Sequence, residues 1–401
     1  MRQLTLLFVL FIMAISPANG QPVDLQAQWD DGFQLVSEGG DYSLGIGANI
    51  QVDRGGTLPL TTFPETIDTG QNRMLLRRAR LYMKGVLHDH IKYKVQFEFA
   101  EGNVAMKDVF LTIRHILGIR NMTIGHFKEP FLQDYLSSSK TLMFLSRALP
   151  VNMAPKRNAG VMFHRSIFDP RLKWYGGVFT AVGELFNTTS VGSNLSITNR
   201  VVGLPLWQDE GKHLLHIGAS YSLRQPPNGD VDITVSPESA MPGNYLTPPT
   251  FSPVSQQHLI GGELTWHYGA FTIQGEYTEA RAIASRQKIG SLPIRSYHGQ
   301  LSWMINGQRQ YDPGAMTLDK VNVDNSLMDK EGGKGALELA ARFSAFHLPG
   351  WPYNYQSLKN LTVGINWYLT PGIKMAGNYT LARLAGDGQS NIVQFRFQLS
   401  Y

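Results

Sequence analysis

The sequence predicts an all-β protein, a transmembrane antiparallel β-barrel of about sixteen strands with a long loop folded into the lumen. Three observations lead to this prediction. The chain begins with an export leader, most of its length alternates between apolar and polar residues, and its last residues form an alternating strand that ends on Tyr401. One barrel domain over residues 21–401 accounts for all three.

Residues 1–20 have the composition of a secretory signal peptide. Arg2 supplies the early positive charge, residues 4–15 are almost entirely apolar, and residues 16–20 are small or turn-forming. The apolar core is shorter than the roughly 20 residues that a spanning helix requires, which disfavours an uncleaved anchor. We therefore expect cleavage near Gly20 and export of the mature chain.

Composition excludes several classes of protein. The chain has no cysteine, so disulfides, thiolate metal sites and cysteine nucleophiles are ruled out. No uncharged apolar run after Gln21 is long enough for a spanning helix, but a barrel needs none because only alternate residues face lipid. The net charge of +5 comes without a basic stripe, so nothing points to a nucleic-acid partner.

Sixteen segments of period two, each bounded by turn residues, follow the leader. On one of them Ile91, Tyr93 and Val95 share a face, while Lys92 and Lys94 share the other. The predicted strands are 42–52, 74–87, 91–99, 109–117, 121–127, 158–165, 172–182, 198–207, 213–224, 259–268, 271–281, 295–304, 336–347, 361–369, 373–383 and 392–401. A soluble β-sandwich would show the same alternation, so the two chain ends favour the barrel.

The links between these strands are of two kinds. Some are as short as residues 269–270, and several are long and rich in Pro, Ser and Asn. The long links are 53–73, 128–157, 183–197, 225–257, 282–294 and 306–335. We expect short turns on one side of the barrel and long loops on the other. Aromatic residues that would form interfacial girdles are Trp266, Tyr268, Trp303, Trp367 and Tyr401.

The last strand alternates strictly, with Val393, Phe395 and Phe397 on one face, and the chain stops at Tyr401. A soluble domain usually trails a few polar residues past its last element. A terminal amphipathic strand that ends in Phe or Tyr resembles the sorting signal of outer-membrane barrels. The resemblance implies a location in the bacterial outer membrane, with membrane lipid around the barrel.

Several sequence motifs indicate a particular family of outer-membrane proteins. They are Trp29-Asp30-Asp31-Gly32-Phe33, Asp41-Tyr42-Ser43-Leu44, Arg77-Arg78-Ala79-Arg80-Leu81, Lys84-Gly85, Gly125-His126-Phe127-Lys128-Glu129-Pro130-Phe131, Leu136-Ser137-Ser138-Ser139, Phe144, Arg147-Ala148-Leu149 and Pro155-Lys156-Arg157-Asn158-Ala159-Gly160. With them the chain resembles the phosphate-selective porin O and P family over nearly the whole mature sequence.

The resemblance implies a passive diffusion channel for small anions, with phosphate or polyphosphate as candidate solutes and no cofactor. It also implies that the segment after the fifth strand narrows the barrel, and that three barrels associate as a homotrimer. One departure concerns the alternating arginines that form a ladder in phosphate-selective members. Only Arg78 and Arg80 keep that spacing here, so anion preference is the firmer expectation and phosphate specificity the weaker one.

Fixed positive charge in a narrow passage raises the local concentration of anions. The predicted anion pathway consists of Arg78, Arg80, Lys84, Lys92, Lys94, Arg114, Lys128, Arg147, Lys156 and Arg157. Further basic candidates are Lys140, Lys173, Arg224, Arg342, Lys374 and Arg396, against the acidic candidates Asp53, Glu98, Asp108, Glu129, Asp134, Glu263, Glu276 and Glu338. Any one of these cations could instead pair with a carboxylate and hold the barrel in shape.

Residues 128–157 are predicted to form the constriction. This segment has no period-two pattern, yet it carries apolar residues such as Phe131, Leu142 and Phe144 that an exposed loop would have little reason to hold. The alternative is an external loop that covers the barrel mouth or contacts a neighbouring subunit. Arg77 lies on the apolar face, where a charge at the bilayer midplane costs about 2–4 kcal/mol, so we expect it near an interface or in a bulge.

Two other classes of protein remain open. A barrel enzyme of the phospholipase type would need a Ser, a His and a polar orienting residue, but no Gly-x-Ser-x-Gly motif occurs. The pairs His88/His90 and His213/His216 are too sparse for a metal site without a third ligand. We therefore expect no catalytic residues and no metal. A soluble, exported sugar-binding sandwich is the third alternative.

Overall fold

The computed structural model describes residues 23–29, 32–59, 62, 72–100, 102, 104–116, 118, 120–180, 194–284, 293–329, 332–348 and 356–401. The predicted signal peptide, residues 1–20, lies outside them. The strands are β1 (Leu25–Trp29), β2 (Phe33–Ser37), β3 (Ser43–Thr57), β4 (Arg73–Leu87), β5 (Ile91–Glu98), β6 (Ala105–Ile116), β7 (Arg120–Lys128), β8 (Arg157–Phe168), β9 (Leu172–Thr180), β10 (Leu195–Gln208), β11 (His213–Arg224), β12 (Val254–Tyr268), β13 (Phe271–Ala284), β14 (Ile294–Met304), β15 (Gln308–Asp312), β16 (Thr317–Asn322), β17 (Ala336–Leu348), β18 (Gln356–Thr370), β19 (Ile373–Leu384) and β20 (Gly388–Ser400). The helix α1 spans Gln133–Leu136, and short 3-10 turns lie at Leu149–Asn152, Asp209–Gly211 and Pro227–Gly229.

Sixteen of these strands form a closed antiparallel barrel. β3 to β14 and β17 to β20 pair with their neighbours in chain order, and β20 pairs with β3. The fold class is therefore confirmed, and every predicted strand overlaps one strand of the barrel. Four short strands, β1, β2, β15 and β16, were not predicted from the sequence. β1 and β2 form a hairpin beside β3, and β15 pairs only with β16.

The alternation of side chains divides each strand between two environments. On β18, Leu361, Val363 and Ile365 project outward and are about half exposed, whereas Thr362 and Asn366 project inward and are buried. An apolar outer surface of this extent requires lipid rather than water. In the described part of the chain, no helix is long and apolar enough to span a membrane.

The two ends of the barrel differ. Residues 88–90, 169–171, 269–270 and 371–372 are short turns at the end that also holds the C-terminus, and we call this end the turn side. The opposite end is the loop side. The predicted aromatic positions lie near the turn side, where Trp266 stacks on Tyr268 with 5.9 Å between ring centroids. This placement agrees with an interfacial girdle.

The prediction that every long link lies on one side is wrong. Residues 305–335 connect β14 to β17 at the turn side and contain the β15–β16 hairpin. They are long because this hairpin enters the barrel. The prediction for Arg77 is confirmed, since Gln51 pairs with Arg78 and Val52 with Leu76. Arg77 is therefore the extra residue of a β-bulge, which releases it from the strict alternation.

Three connecting segments enter the barrel and bond to inward-facing side chains. In residues 129–156, the carbonyl of Met143 accepts a hydrogen bond from Asn366 at 2.7 Å. In residues 225–253, the hydroxyl of Ser239 donates to the side chain of Gln394 at 2.7 Å. In residues 305–335, Arg309 pairs with Glu338 at 2.8 Å. Apolar residues of the first two segments join wall residues in one buried cluster, which includes Phe131, Leu132, Leu149, Met241, Leu246, Phe346 and Leu358.

Candidate anion passage

The three inner segments divide the barrel wall into two arcs. Along the packed arc, formed by β10 to β14, β17 to β20 and β3, the inward side chains are almost all buried beneath the segments. Along the open arc, β4 to β9, the inner face borders a cavity of about 500 Å³. A second cavity of about 290 Å³ adjoins the first toward the turn side. Both cavities are lined by Lys94, Gln96, Ser138, Lys140 and Asp319.

The lining of these cavities is strongly basic. Among the described residues, eight cationic side chains and three carboxylates line the first cavity. The cations are Arg80, Lys94, Lys128, Lys140, Arg147, Arg157, Lys173 and Arg200, and the carboxylates are Asp108, Asp312 and Asp319. The second cavity is lined by Lys84, Lys94, Lys140, Lys320 and Lys374 against Asp319. Both cavities therefore have a net positive lining.

Ion pairs hold part of this charge in place. The carboxylate of Asp108 on β6 bonds to Lys94 on β5 and to Arg157 on β8, each at 2.7 Å. Arg80 on β4 pairs with Glu98 on β5 at 2.6 Å. Since one carboxylate serves both Lys94 and Arg157, this group of three side chains keeps a net positive charge.

Lys128 and Arg147 hold the inner segment together. The ammonium group of Lys128 donates to the carbonyls of Tyr135, Leu136 and Ser137 at 2.7, 3.0 and 3.1 Å. These carbonyls lie at the end of α1, where a helix leaves its acceptors without helical partners. Arg147 donates to the carbonyls of Asp134 and Ser137 at 2.9 and 2.6 Å. Both cations thus stabilise the segment and also line the first cavity.

Tyr135 forms an aromatic surface next to these two cations. The Lys128 nitrogen lies 5.2 Å from the ring centroid, and the central guanidinium carbon of Arg147 lies 5.9 Å from it. Burial raises the pKa of Tyr135 to about 12, so the phenol is neutral at physiological pH. The ring can therefore favour both cations through its face without adding a charge to the cavity.

The β15–β16 hairpin reaches the open arc from the turn side. The ammonium of Lys173 on β9 donates to the carbonyl of Gly314, and Arg200 on β10 donates to the carbonyl of Met316 at 3.1 Å. The hairpin is connected to the wall between β14 and β17, whereas its tip contacts β9 and β10. It therefore extends past several strands of the barrel. This hairpin was not predicted from the sequence, although Asp312-Pro313-Gly314 has the composition of a turn and lies between two short segments.

Six of the ten predicted pathway residues line the two cavities. These are Arg80, Lys84, Lys94, Lys128, Arg147 and Arg157. Arg78 is buried and donates to the side chain of Gln51 at 2.5 Å, and Arg114 pairs with Asp89 at 2.8 Å near the turn side. Lys92 and Lys156 are exposed outside the lining. Lining residues absent from the predicted pathway are Lys140, Lys173, Arg200, Lys320 and Lys374.

Several basic candidates lie in the packed arc instead, each next to a carboxylate. Arg224 pairs with Glu129 at 2.8 Å, and Arg342 pairs with Glu238 at 2.9 Å. Arg396 forms two hydrogen bonds to the carboxylate of Asp53, at 2.6 and 2.7 Å. Such pairs offset the desolvation of both charges, so these arginines join the inner segments and the wall to one another.

The histidines that were considered as metal ligands have ordinary hydrogen-bond partners. His88 bonds to the hydroxyl of Tyr42 at 2.7 Å, His213 contacts Asp209 at 3.2 Å, and the buried His216 bonds to the hydroxyl of Tyr311 at 2.7 Å. Across the ranges that the structure describes, no three His, Asp or Glu side chains form a group that could hold a metal ion.

The chain is similar to several known porins. The family model for phosphate-selective porin O and P matches residues 45–401. Porin O of Pseudomonas aeruginosa is 20% identical over 393 residues, which covers 90% of this chain and 87% of the relative. The anion-selective porin from Comamonas acidovorans superposes with a TM-score of 0.58 at 10% identity, covering 90% of this chain and all of that one. OmpT of Vibrio cholerae in its trimer form gives 0.55 at 8% identity, covering 90% and 99%.

The two solved structures share the barrel fold. The match to the family model is stronger evidence of relationship, because it extends over most of the chain and overlaps every strand of the barrel wall. The protein is therefore a passive porin channel of the bacterial outer membrane and not an enzyme. The chain belongs to the phosphate-selective porin O and P family.

Proposed function

We propose that this porin favours small anions, which cross the barrel through the two adjoining cavities. The observation that carries the proposal is the charge of the lining, eight cations against three carboxylates in the first cavity. Arg80 and Arg200 also pair with Glu98 and Glu263 behind the lining, which leaves an excess of three positive charges. A fixed excess of positive charge between low-dielectric walls lowers the barrier for anions and raises it for cations. The structurally similar anion-selective porin from Comamonas acidovorans supports the same direction.

The proposal extends to phosphate and polyphosphate as solutes, which fit the family description and the basic lining. Arginines at alternate positions are limited to Arg78 and Arg80, and Arg78 is buried on Gln51 instead of lining a cavity. Across the two cavities phosphate would meet seven lysines and four arginines, and the arginines do not form a ladder. Lysine acts as a point charge and gives less geometric specificity than a guanidinium. We accordingly propose a preference for anions in general rather than for phosphate alone.

Residues 128–157 and the β15–β16 hairpin together set the narrowest section in this proposal. The segment contributes Lys128, Lys140 and Arg147 to the first cavity, and the hairpin contributes Gly314 and Asp319. Association into a homotrimer and removal of residues 1–20 complete the proposal. The trimer form of OmpT supports the first, and the composition of the leader supports the second.

The direct test is a planar-bilayer recording of the purified protein across a salt gradient. We expect the reversal potential to have the sign of anion permeation. The matched variant is Lys94→Gln with Lys140→Gln, because both side chains line both cavities. It should move the reversal potential toward the cation side. A wild-type reversal potential on the cation side would contradict the anion preference and leave the barrel unaffected.

A further inference from the structure

Four exposed cations lie on the outer face of the barrel, near the loop side. They are Arg281 on β13, Arg295 on β14, Lys359 on β18 and Arg383 on β19, and we call them the cationic rim. On each of these strands the outward positions nearer the turn side are mostly apolar. Below Lys359, for example, are Leu361 and Val363, each about half exposed. The rim therefore lies where the lipid-facing apolar band ends.

Lys359 and Arg383 stand directly opposite each other in the β18–β19 register. Like charges in this position destabilise a strand pair unless an anion lies between them. Neither side chain forms an ion pair with a carboxylate of the described residues. Asp387, in the turn after β19, is exposed and forms no ion pair with either cation. Among the described residues, the pair therefore has no carboxylate that neutralises it.

A cavity of about 570 Å³ lies between these two cations. Thr62, Ser357 and Gln389 also line it. The hydroxyl of Ser357 is bonded to His347 Nδ1 at 3.0 Å, so the ammonium, the guanidinium and the side-chain amide of Gln389 are the donors that face one space. This donor set suits a phosphate group, because Arg and Lys form charge-assisted hydrogen bonds with its oxygens. The space opens on the outer surface of the wall and is separate from the two cavities of the lumen.

The other half of the rim also has more positive than negative charge. Glu279 accepts from Arg281 at 2.6 Å and from Arg295 at 2.9 Å, so a single carboxylate serves two guanidinium groups. The two guanidinium groups remain about half exposed. Arg295 stands opposite His347, whose ring stacks on Tyr297 with 5.8 Å between centroids. The four cations thus stand on β13, β14, β18 and β19, and only β17 lies between the two halves of the rim.

We propose that the cationic rim binds the phosphate groups of an anionic glycolipid in the outer leaflet of the outer membrane. Short turns face the periplasm and long loops the cell exterior in such barrels, which places the rim at the outer-leaflet headgroups. The apolar strand surface below the rim is available to acyl chains. The site is on the outside of the barrel, so the proposal does not depend on which ions cross the lumen.

The experiment uses the full mature protein in detergent, with purified bisphosphorylated lipid A as the probe and native mass spectrometry as the readout. Each cation near an anionic lipid surface contributes about fivefold in affinity. The variant Lys359→Gln with Arg383→Gln should therefore bind lipid A about 25-fold more weakly. The control Arg165→Gln with Arg171→Gln makes the same charge change near the turn side and should bind as the wild type does. Single-channel conductance should be unchanged in both.

Equal lipid A affinity in the double variant and the wild type would overturn the proposal, and so would equal binding of dephosphorylated lipid A. Displacement of lipid A by modest inorganic phosphate would assign the cavity to free phosphate instead. Dissociation of the oligomer with unchanged lipid affinity would make the rim a contact between subunits. If the double variant fails to fold, as judged by heat-modifiable gel mobility, Lys359→Gln alone should still lose about fivefold in affinity.

Discussion

Both arcs of the barrel carry inward-facing arginines and lysines, but the two arcs use these cations differently. In the packed arc, Arg396 and Arg342 are buried and each is bonded to a carboxylate. In the open arc, Lys94 and Arg157 share one carboxylate and border a cavity. Burial explains the contrast, since a charge removed from water must be paired whereas a partly solvated one need not be. Arginine and lysine therefore stabilise the structure in the packed arc, and we propose that they attract anions in the open arc.

The largest effect should come from breaking a pair in the packed arc. Arg309→Leu leaves Glu338 buried and without its main cation, because the guanidinium donates to both carboxylate oxygens at 2.8 Å. Loss of one partner of a buried pair costs about 3–5 kcal/mol. We expect a marked fall in the temperature at which the barrel loses its heat-modifiable gel mobility. Arg309→Met with Glu338→Leu, which removes both charges, should recover much of the loss.

The cysteine-free chain allows a direct comparison of solvent access in the two arcs. Ser138→Cys places a thiol in the lining that both cavities share, and Ser302→Cys places one on the buried inner face of β14. A negatively charged methanethiosulfonate should react with the first thiol at least about tenfold faster than a positively charged one of similar size. The thiol at position 302 should react with neither. Equal rates for the two reagents at position 138 would argue against a positive potential in the cavities.

A smaller effect should follow from removing the carboxylate that Lys94 and Arg157 share. Asp108→Asn keeps the shape of the side chain and raises the net charge of the lining by one unit. One unit charge at about 6 Å in a water-like medium is worth about 0.7 kcal/mol, or roughly threefold. The added charge favours the anion and disfavours the cation by this amount each, so we expect the anion-to-cation permeability ratio to rise by at most about tenfold, measured from reversal potentials. A lower ratio would mean that Asp108 is needed mainly to position Lys94 and Arg157.

The sequence predicted the sixteen wall strands because lipid outside and polar groups inside impose period two on every strand. The same pattern could not separate the arcs. Arg80 and Arg396 both occupy inward positions of alternating strands and both pair with a carboxylate, yet only Arg80 lines a cavity. Asp53 lies far from Arg396 along the chain, and the two meet only because β20 closes the barrel on β3. Which cations are neutralised is set by such long-range pairing.

The apolar residues of segment 128–157 led to the prediction that this segment lies in the lumen. No role was predicted for residues 305–335. Local turn chemistry was present at Asp312-Pro313-Gly314. Two strands of five and six residues, however, are too short to show a period-two pattern clearly against the long wall strands. The direction in which the hairpin folds depends on Arg309 and Lys173 finding partners on distant strands. No local pattern contains that information.

The smallest expected effect separates two neighbouring lysines on one strand. Lys92 and Lys94 share the inward face of β5, but only Lys94 lines a cavity, because Lys92 lies two residues nearer the turn side and is exposed there. At that position bulk salt screens its charge within about 8 Å at physiological ionic strength. Lys92→Gln should therefore shift the reversal potential much less than Lys94→Gln, and this difference should shrink at low salt as screening weakens. A shift for Lys92→Gln as large as that for Lys94→Gln in physiological salt would extend the selective region to the turn-side mouth of the barrel.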